Sequence, residues 1–133
     1  MKTVSQFFLC VCASFAFYSN TALADKPTCH SSSGGYCSYN GYVKDLYINS
    51  GGLILLYFDT PFESDQDANT AGFTLAGNGL YATAIQMSDN PEFAKLFYST
   101  ALSAQATKRK IRIQMRNNLG GYLKTDRIWI AQE

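Results

Sequence analysis

Histidine occurs once in this 133-residue chain, as His30, and tryptophan once, as Trp129. A single histidine beside Cys29 falls short of the three or four ligands that zinc takes from a protein, so no metal and no cofactor is expected. No G-x-S-x-G occurs, and Ser31, Ser32 and Ser33 are chain neighbours of His30. Adjacent residues cannot supply the base, nucleophile and orienter of a triad, and no catalytic residue is assigned. Neither sign of charge dominates, with 11 Lys and Arg against 10 Asp and Glu. Global charge therefore gives no argument for nucleic acid or a membrane surface. Apolar runs of spanning length do not occur beyond the first 24 residues, and no membrane span is expected there.

Those first residues, "MKTVSQFFLCVCASFAFYSNTALA", read as a secretory signal. Lys2 supplies the positive start, "FFLCVCASFAF" the apolar centre, and Ala22-Leu23-Ala24 the small-x-small cleavage pattern. A secreted or periplasmic protein beginning at Asp25 is the expectation. Removing 24 of the 133 residues leaves 109, room for one small domain. Cys10 and Cys12 leave with the signal, so Cys29 and Cys37 remain. In an oxidising compartment they pair with each other, closing the Ser/Gly-rich loop "CHSSSGGYC". On the chain-entropy model that closure contributes roughly 2.5 kcal/mol. Residues 25–41 are read as an N-terminal disulfide loop and 42–133 as a single domain.

Within that domain "YVKDLYI" and "LILLYF", split by "NSGG", predict a hairpin. "LILLYF" is apolar on both faces, so its second face calls for cover from the fold, from a second copy or from an exported partner. "DTPFESDQDANTAG" is a polar loop. Its Asp65, Asp67 and Asn69 alternate like the start of a calcium loop. Thr70 stands where glycine is needed and Ala76 where a bidentate Glu is needed, so a solvated acidic loop is preferred. "GFTL" and "LYATAI" flank "AGNG" and predict a further hairpin or a broken strand. The "GNGLYA" run matches a dinucleotide fingerprint only formally, since a real one opens a helix inside a βαβ unit.

A helix follows. Ser88, Asp89 or Asn90 can cap it, Pro91 and Glu92 suit its first turn, and Lys108, Arg109 and Lys110 complement its negative end. Phe93, Leu96, Phe97, Thr100, Ala101 and Ala104 predict its buried stripe. Ile111, Ile113 and Met115 then alternate with Lys110, Arg112, Gln114 and Arg116 at strand period. "NNLGG" turns the chain into a last strand, "RIWIA". The order is β-β-β-α-β-β, which predicts an OB-fold, a mainly β five-stranded barrel with one helix at its end. An open α+β sheet packed on one helix is the alternative.

With a secretory signal, about a hundred mature residues and this order of elements, residues 42–131 resemble bacterial toxin B-subunits and related exported OB-fold proteins. The resemblance is architectural. It implies a glycan-binding ring of copies whose helices face a central pore.

One constellation points to a ligand. If Ile111, Ile113 and Met115 face inward, then Lys110, Arg112 and Arg116 face outward. If Ile128 and Ile130 face inward on the neighbouring strand, Arg127 and Trp129 join them. From Lys108 to Arg127 there are seven basic residues against Asp126 alone. Arginine forks bind oxyanions at two points, and Trp stacks on apolar sugar faces. The expected function is therefore non-enzymatic recognition of an acidic glycan or another anionic polymer through Lys110, Arg112, Arg116, Arg127 and Trp129. A small metal-dependent nuclease or hydrolase, built from Asp59, Asp65, Asp67, Arg112 and Arg116, is one alternative. A protein-docking or inhibitory module is the other.

Overall fold

The computed structural model describes residues 24–131. Residues 1–23, all of the expected signal segment except its last position Ala24, lie outside them. Seven strands form one sheet: β1 (Asp25–His30), β2 (Tyr36–Gly41), β3 (Val43–Ile48), β4 (Leu53–Phe58), β5 (Ala82–Gln86), β6 (Ile111–Leu119) and β7 (Tyr122–Ile130). A short helix α1 (Gln66–Thr70) lies between β4 and β5, and the main helix α2 (Pro91–Thr107) between β5 and β6. The strand order is β1-β2-β6-β7-β5-β4-β3, antiparallel except for the parallel pair β5–β7. The protein is thus mainly β with one main helix, as expected, but among the described residues it has seven strands and no ladder closing them into a barrel.

The two additional strands come from residues 25–41, which the sequence presents as a loop. Their signal is a short alternation, with Cys37 and Tyr39 buried and Tyr36, Ser38 and Asn40 half-exposed. The disulfide forms as expected, and it joins residues directly opposite each other on β1 and β2.

Only Tyr42 separates β2 from β3, yet the two lie far apart in the strand order. The sheet must curl to allow this, because consecutive Cα atoms are only about 3.8 Å apart. Tyr39 fixes the bend. Its buried hydroxyl donates to the Asp59 carboxylate and lies 2.7 Å from the Tyr42 carbonyl, while the Asp59 amide donates back to it at 3.2 Å. Burial first, and then the hydrogen bond to Asp59, push the Tyr39 phenol well above its ordinary range. Gly41 is required here, since a Cβ would meet the Tyr39 hydroxyl at 2.4 Å.

The β3–β4 hairpin forms where "NSGG" predicts. The Asn49 side chain accepts from the Leu53 amide at 3.1 Å, and Gly52 takes a φ of +77°. "GFTL" is not a strand. Phe73 and Leu75 are buried from a loop instead, anchored by Phe73 N–H to the Ala68 carbonyl and Ala76 N–H to the Gly121 carbonyl, both at 2.9 Å. "GNGL" is a 3-10 turn leading into a strand rather than a helix, so the fingerprint context is missing. "DQDANTAG" contains α1, whose spacing points Asp65 and Asp67 to different sides.

Helix α2 begins as expected, with the Asn90 side chain accepting from the Phe93 amide at 3.0 Å and Pro91 in the first turn. Its buried residues are Ala94, Phe97, Ala101 and Ala104. Leu96, expected in that stripe, is 65% exposed. The stripe is centred one residue away because small alanines let the helix sit close to the sheet. The core beneath joins Phe97 to Leu56, Phe58, Ile111, Ile113, Met115 and Leu123. Among the described residues Thr83 and Thr125 are the buried polar side chains, and Thr83 leads the pair. The Thr83 hydroxyl donates to the Leu123 carbonyl at 2.8 Å and meets the Thr125 hydroxyl at 2.7 Å, reinforcing the short parallel β5–β7 contact.

The second apolar face of β4 finds its cover within the chain. Leu55 is only 4% exposed and packs with Ala82 and Ala84 beneath Leu53, Tyr57, Leu119 and Tyr122. Burying Leu55 therefore does not require a second copy.

Candidate binding face

Strand alternation on β6 is as the sequence predicts. Ile111, Ile113 and Met115 are fully buried, so Arg112, Gln114 and Arg116 project from the opposite side of the sheet. On β7, Ile128 and Ile130 are half-buried and Arg127 and Trp129 exposed. Ladder register then places these residues in rows across four strands. Asp25, Asn40, Arg112 and Trp129 form one row from β1 to β7. Thr28, Ser38, Gln114 and Arg127 form the next. His30, Tyr36 and Arg116 continue the pattern, with the His30 and Tyr36 rings 4.8 Å apart.

The cations on this face differ in how they are held. The Arg112 guanidinium lies over the Trp129 ring, 5.3 Å from its centre. It has no ion pair or side-chain hydrogen bond among the described residues. Stacking orients the planar group while leaving its N–H edge for a ligand. Arg116 is tied down three ways, over the Tyr36 ring at 5.6 Å, to the Ser33 carbonyl at 2.9 Å and to Asp126 at 3.6 Å. Arg127 meets the same Asp126 through its Nε at 3.2 Å, and its terminal nitrogens have no hydrogen-bond partner among the described residues. Asp126 sits where the β6–β7 register shifts, so one carboxylate serves both arginines.

Lys110 belongs to a different place. It precedes β6, and its ammonium lies 5.7 Å from the centre of the Tyr42 ring, at the β2–β3 bend. The dense positive charge between Lys108 and Arg127 is also dispersed. Lys108 ends α2 in a left-handed conformation, Arg109 donates to the Ala131 carbonyl at 3.1 Å, and Lys124 pairs with Asp89. Three arginines and the indole remain together.

Sequence reasoning missed Asn40, Ser38 and Gln114, the neutral polar members of the rows. Gln114 was visible in the alternation of β6, but Asn40 and Ser38 belong to a strand that read as a loop. The alternative constellation of acids with arginines does not gather. Asp59 is engaged by Tyr39 and by the Tyr42 amide at the bend, Asp65 precedes α1, and neither contacts Arg112 or Arg116. His30 stacks on Tyr36. Comparison of the chain with protein-family models, with curated proteins and with solved structures returns no match.

Proposed function

We propose that this is an exported, non-enzymatic binding protein that recognises an anionic glycan or surface polymer through the outer face of β2, β6 and β7. The observation that carries the reading is Arg112. A guanidinium stacked on an exposed indole, without a carboxylate partner among the described residues, is oriented for an oxyanion. Export rests on the signal pattern, and the cross-strand disulfide is compatible with an oxidising compartment. An OB-like path for β3, β4, β5, β7 and β6 is part of the proposal. It is supported by the parallel β5–β7 pair, the helix between β5 and β6, and the one-residue link from β2 to β3.

Binding of the mature protein to an immobilised anionic polysaccharide tests the function. Affinity should fall as salt rises, because exposed cations are screened over about 8 Å at physiological ionic strength. Arg112→Ala should weaken binding, and Lys95→Ala on the exposed side of α2 should not. Equal loss in both variants would point to diffuse charge rather than a site on this face.

A further inference from the structure

Four residues at the centre of this face form a square, and its corners differ in chemistry. Arg112 is opposite Trp129, and Gln114 is opposite Arg127. The two arginines thus occupy one diagonal, about 7 Å apart at their base. Between them stands Gln114, half-buried and without a side-chain hydrogen bond among the described residues. In the next strand Asn40, opposite Arg112, gives one amide N–H to Asp25 at 3.3 Å and keeps its carbonyl oxygen.

A plain polyanion fits only half of this arrangement. Carboxylates, sulfates and phosphates accept hydrogen bonds, which satisfies the guanidinium edges. They can accept from the Gln114 amide N–H groups, but they offer no donor to the carbonyl oxygens of Gln114 and Asn40, which they would leave unpaired. Hydroxyl groups both donate and accept, so a sugar hydroxyl beside each carboxylate satisfies the amides as well. The exposed part of Trp129, an indole 39% accessible, offers an apolar surface for the C–H face of a pyranose.

Resting on the anionic-ligand reading above, we infer that the ligand is a carboxylated sugar, with Gln114 and Asn40 as the specificity-determining residues. One uronate-type residue bridges the square, its carboxylate between Arg112 and Arg127 and its hydroxyls on Gln114 and Asn40. Arg112 and Arg127 supply attraction that any polyanion can use. The amides supply discrimination.

The test compares polygalacturonate with polyacrylate at matched carboxylate concentration, measured by calorimetry on the mature, disulfide-bonded protein. The expected result is at least about tenfold tighter binding of polygalacturonate, since unpaired polar groups penalise the ligand that lacks hydroxyls. Gln114→Ala should reduce polygalacturonate affinity about fivefold to tenfold and leave polyacrylate affinity within about twofold. Gln114→Asn, which keeps the amide on a shorter stem, should recover part of the loss. Equal binding of the two polymers, each lost with Arg112→Ala, would overturn this inference while sustaining the anionic-surface reading. Binding of neither polymer would overturn both. Thermal melts of each variant separate lost contacts from lost folding.

Discussion

The two halves of the sheet's outer side are built on opposite plans. Across β1, β2, β6 and β7 the rows are polar, with arginines, amides and hydroxyls standing opposite one another. Across β3, β4 and β5 the outward positions are Leu53, Leu55, Tyr57, Ala82 and Ala84, capped by Tyr122 and Leu119. Small alanines on β5 let the larger side chains on either side close over them, so this face seals itself as a minor core. Burial, with Tyr122, Tyr47 and Asp45 nearby, raises the Tyr57 phenol above its ordinary range. The first face leaves hydrogen-bonding capacity available on its surface, whereas the second uses its side chains for packing. Stability and recognition are thereby assigned to different halves of one sheet.

Substitutions can break that division. The largest effect is expected on the sealed face, where Leu55→Ala removes a buried side chain and should cost about 2–4 kcal/mol in chemical denaturation. A cost below about 0.5 kcal/mol would mean that this face is not a core. Opening the disulfide comes next. Reduction should lower stability by about 2.5 kcal/mol through the unfolded chain and loosen the β1–β2 hairpin that carries Asn40 and Ser38. Ligand affinity should then fall further than Leu55→Ala lowers it, in a protein that still melts cooperatively.

How much of this division is legible in the sequence depends on the element. The β6 alternation of Ile111, Ile113 and Met115 with Arg112, Gln114 and Arg116 is a strong period-two signal, and the structure follows it residue for residue. The Asn90 cap and Pro91 set the start of α2 for local reasons that need no tertiary context. By contrast, β1 and β2 read as a loop because Ser and Gly dominate between the cysteines, and their strand character comes from pairing, β2 with β6 and β1 with β2. Leu96 was misread because stripes one residue apart have similar hydrophobicity, and only packing of Ala94, Ala101 and Ala104 selects between them. The dense basic stretch near the C-terminus suggested one patch. Helix termination and the Lys124–Asp89 pair scatter it.

On the polar face, Arg112→Ala and Trp129→Ala should each weaken ligand binding by roughly 1–3 kcal/mol. Their stability cost should stay near 1 kcal/mol or below, the worth of one exposed cation–π pair. A collapse of folding in Trp129→Ala would place the indole in the structural half and erase the contrast. The smallest effect concerns the bend that joins the halves. The folded-state Tyr39 phenol is raised above its unfolded value, so its contribution is complete below about pH 10 and is lost as pH rises beyond it. Tyr39→Phe should flatten the alkaline fall in stability measured by urea denaturation at pH 9 to 11, and cost about 1 kcal/mol at neutral pH. An unchanged alkaline profile would show that the phenol is not the group responsible.

Trp129 is the sole tryptophan of the chain, so indole fluorescence reports from the proposed face alone. Titrating the mature protein with polygalacturonate should give a saturable change in Trp129 emission that weakens as salt rises and disappears in Arg112→Ala. Binding that leaves the emission unaltered, or that persists unchanged in Arg112→Ala, would contradict a ligand site at the Arg112–Trp129 pair.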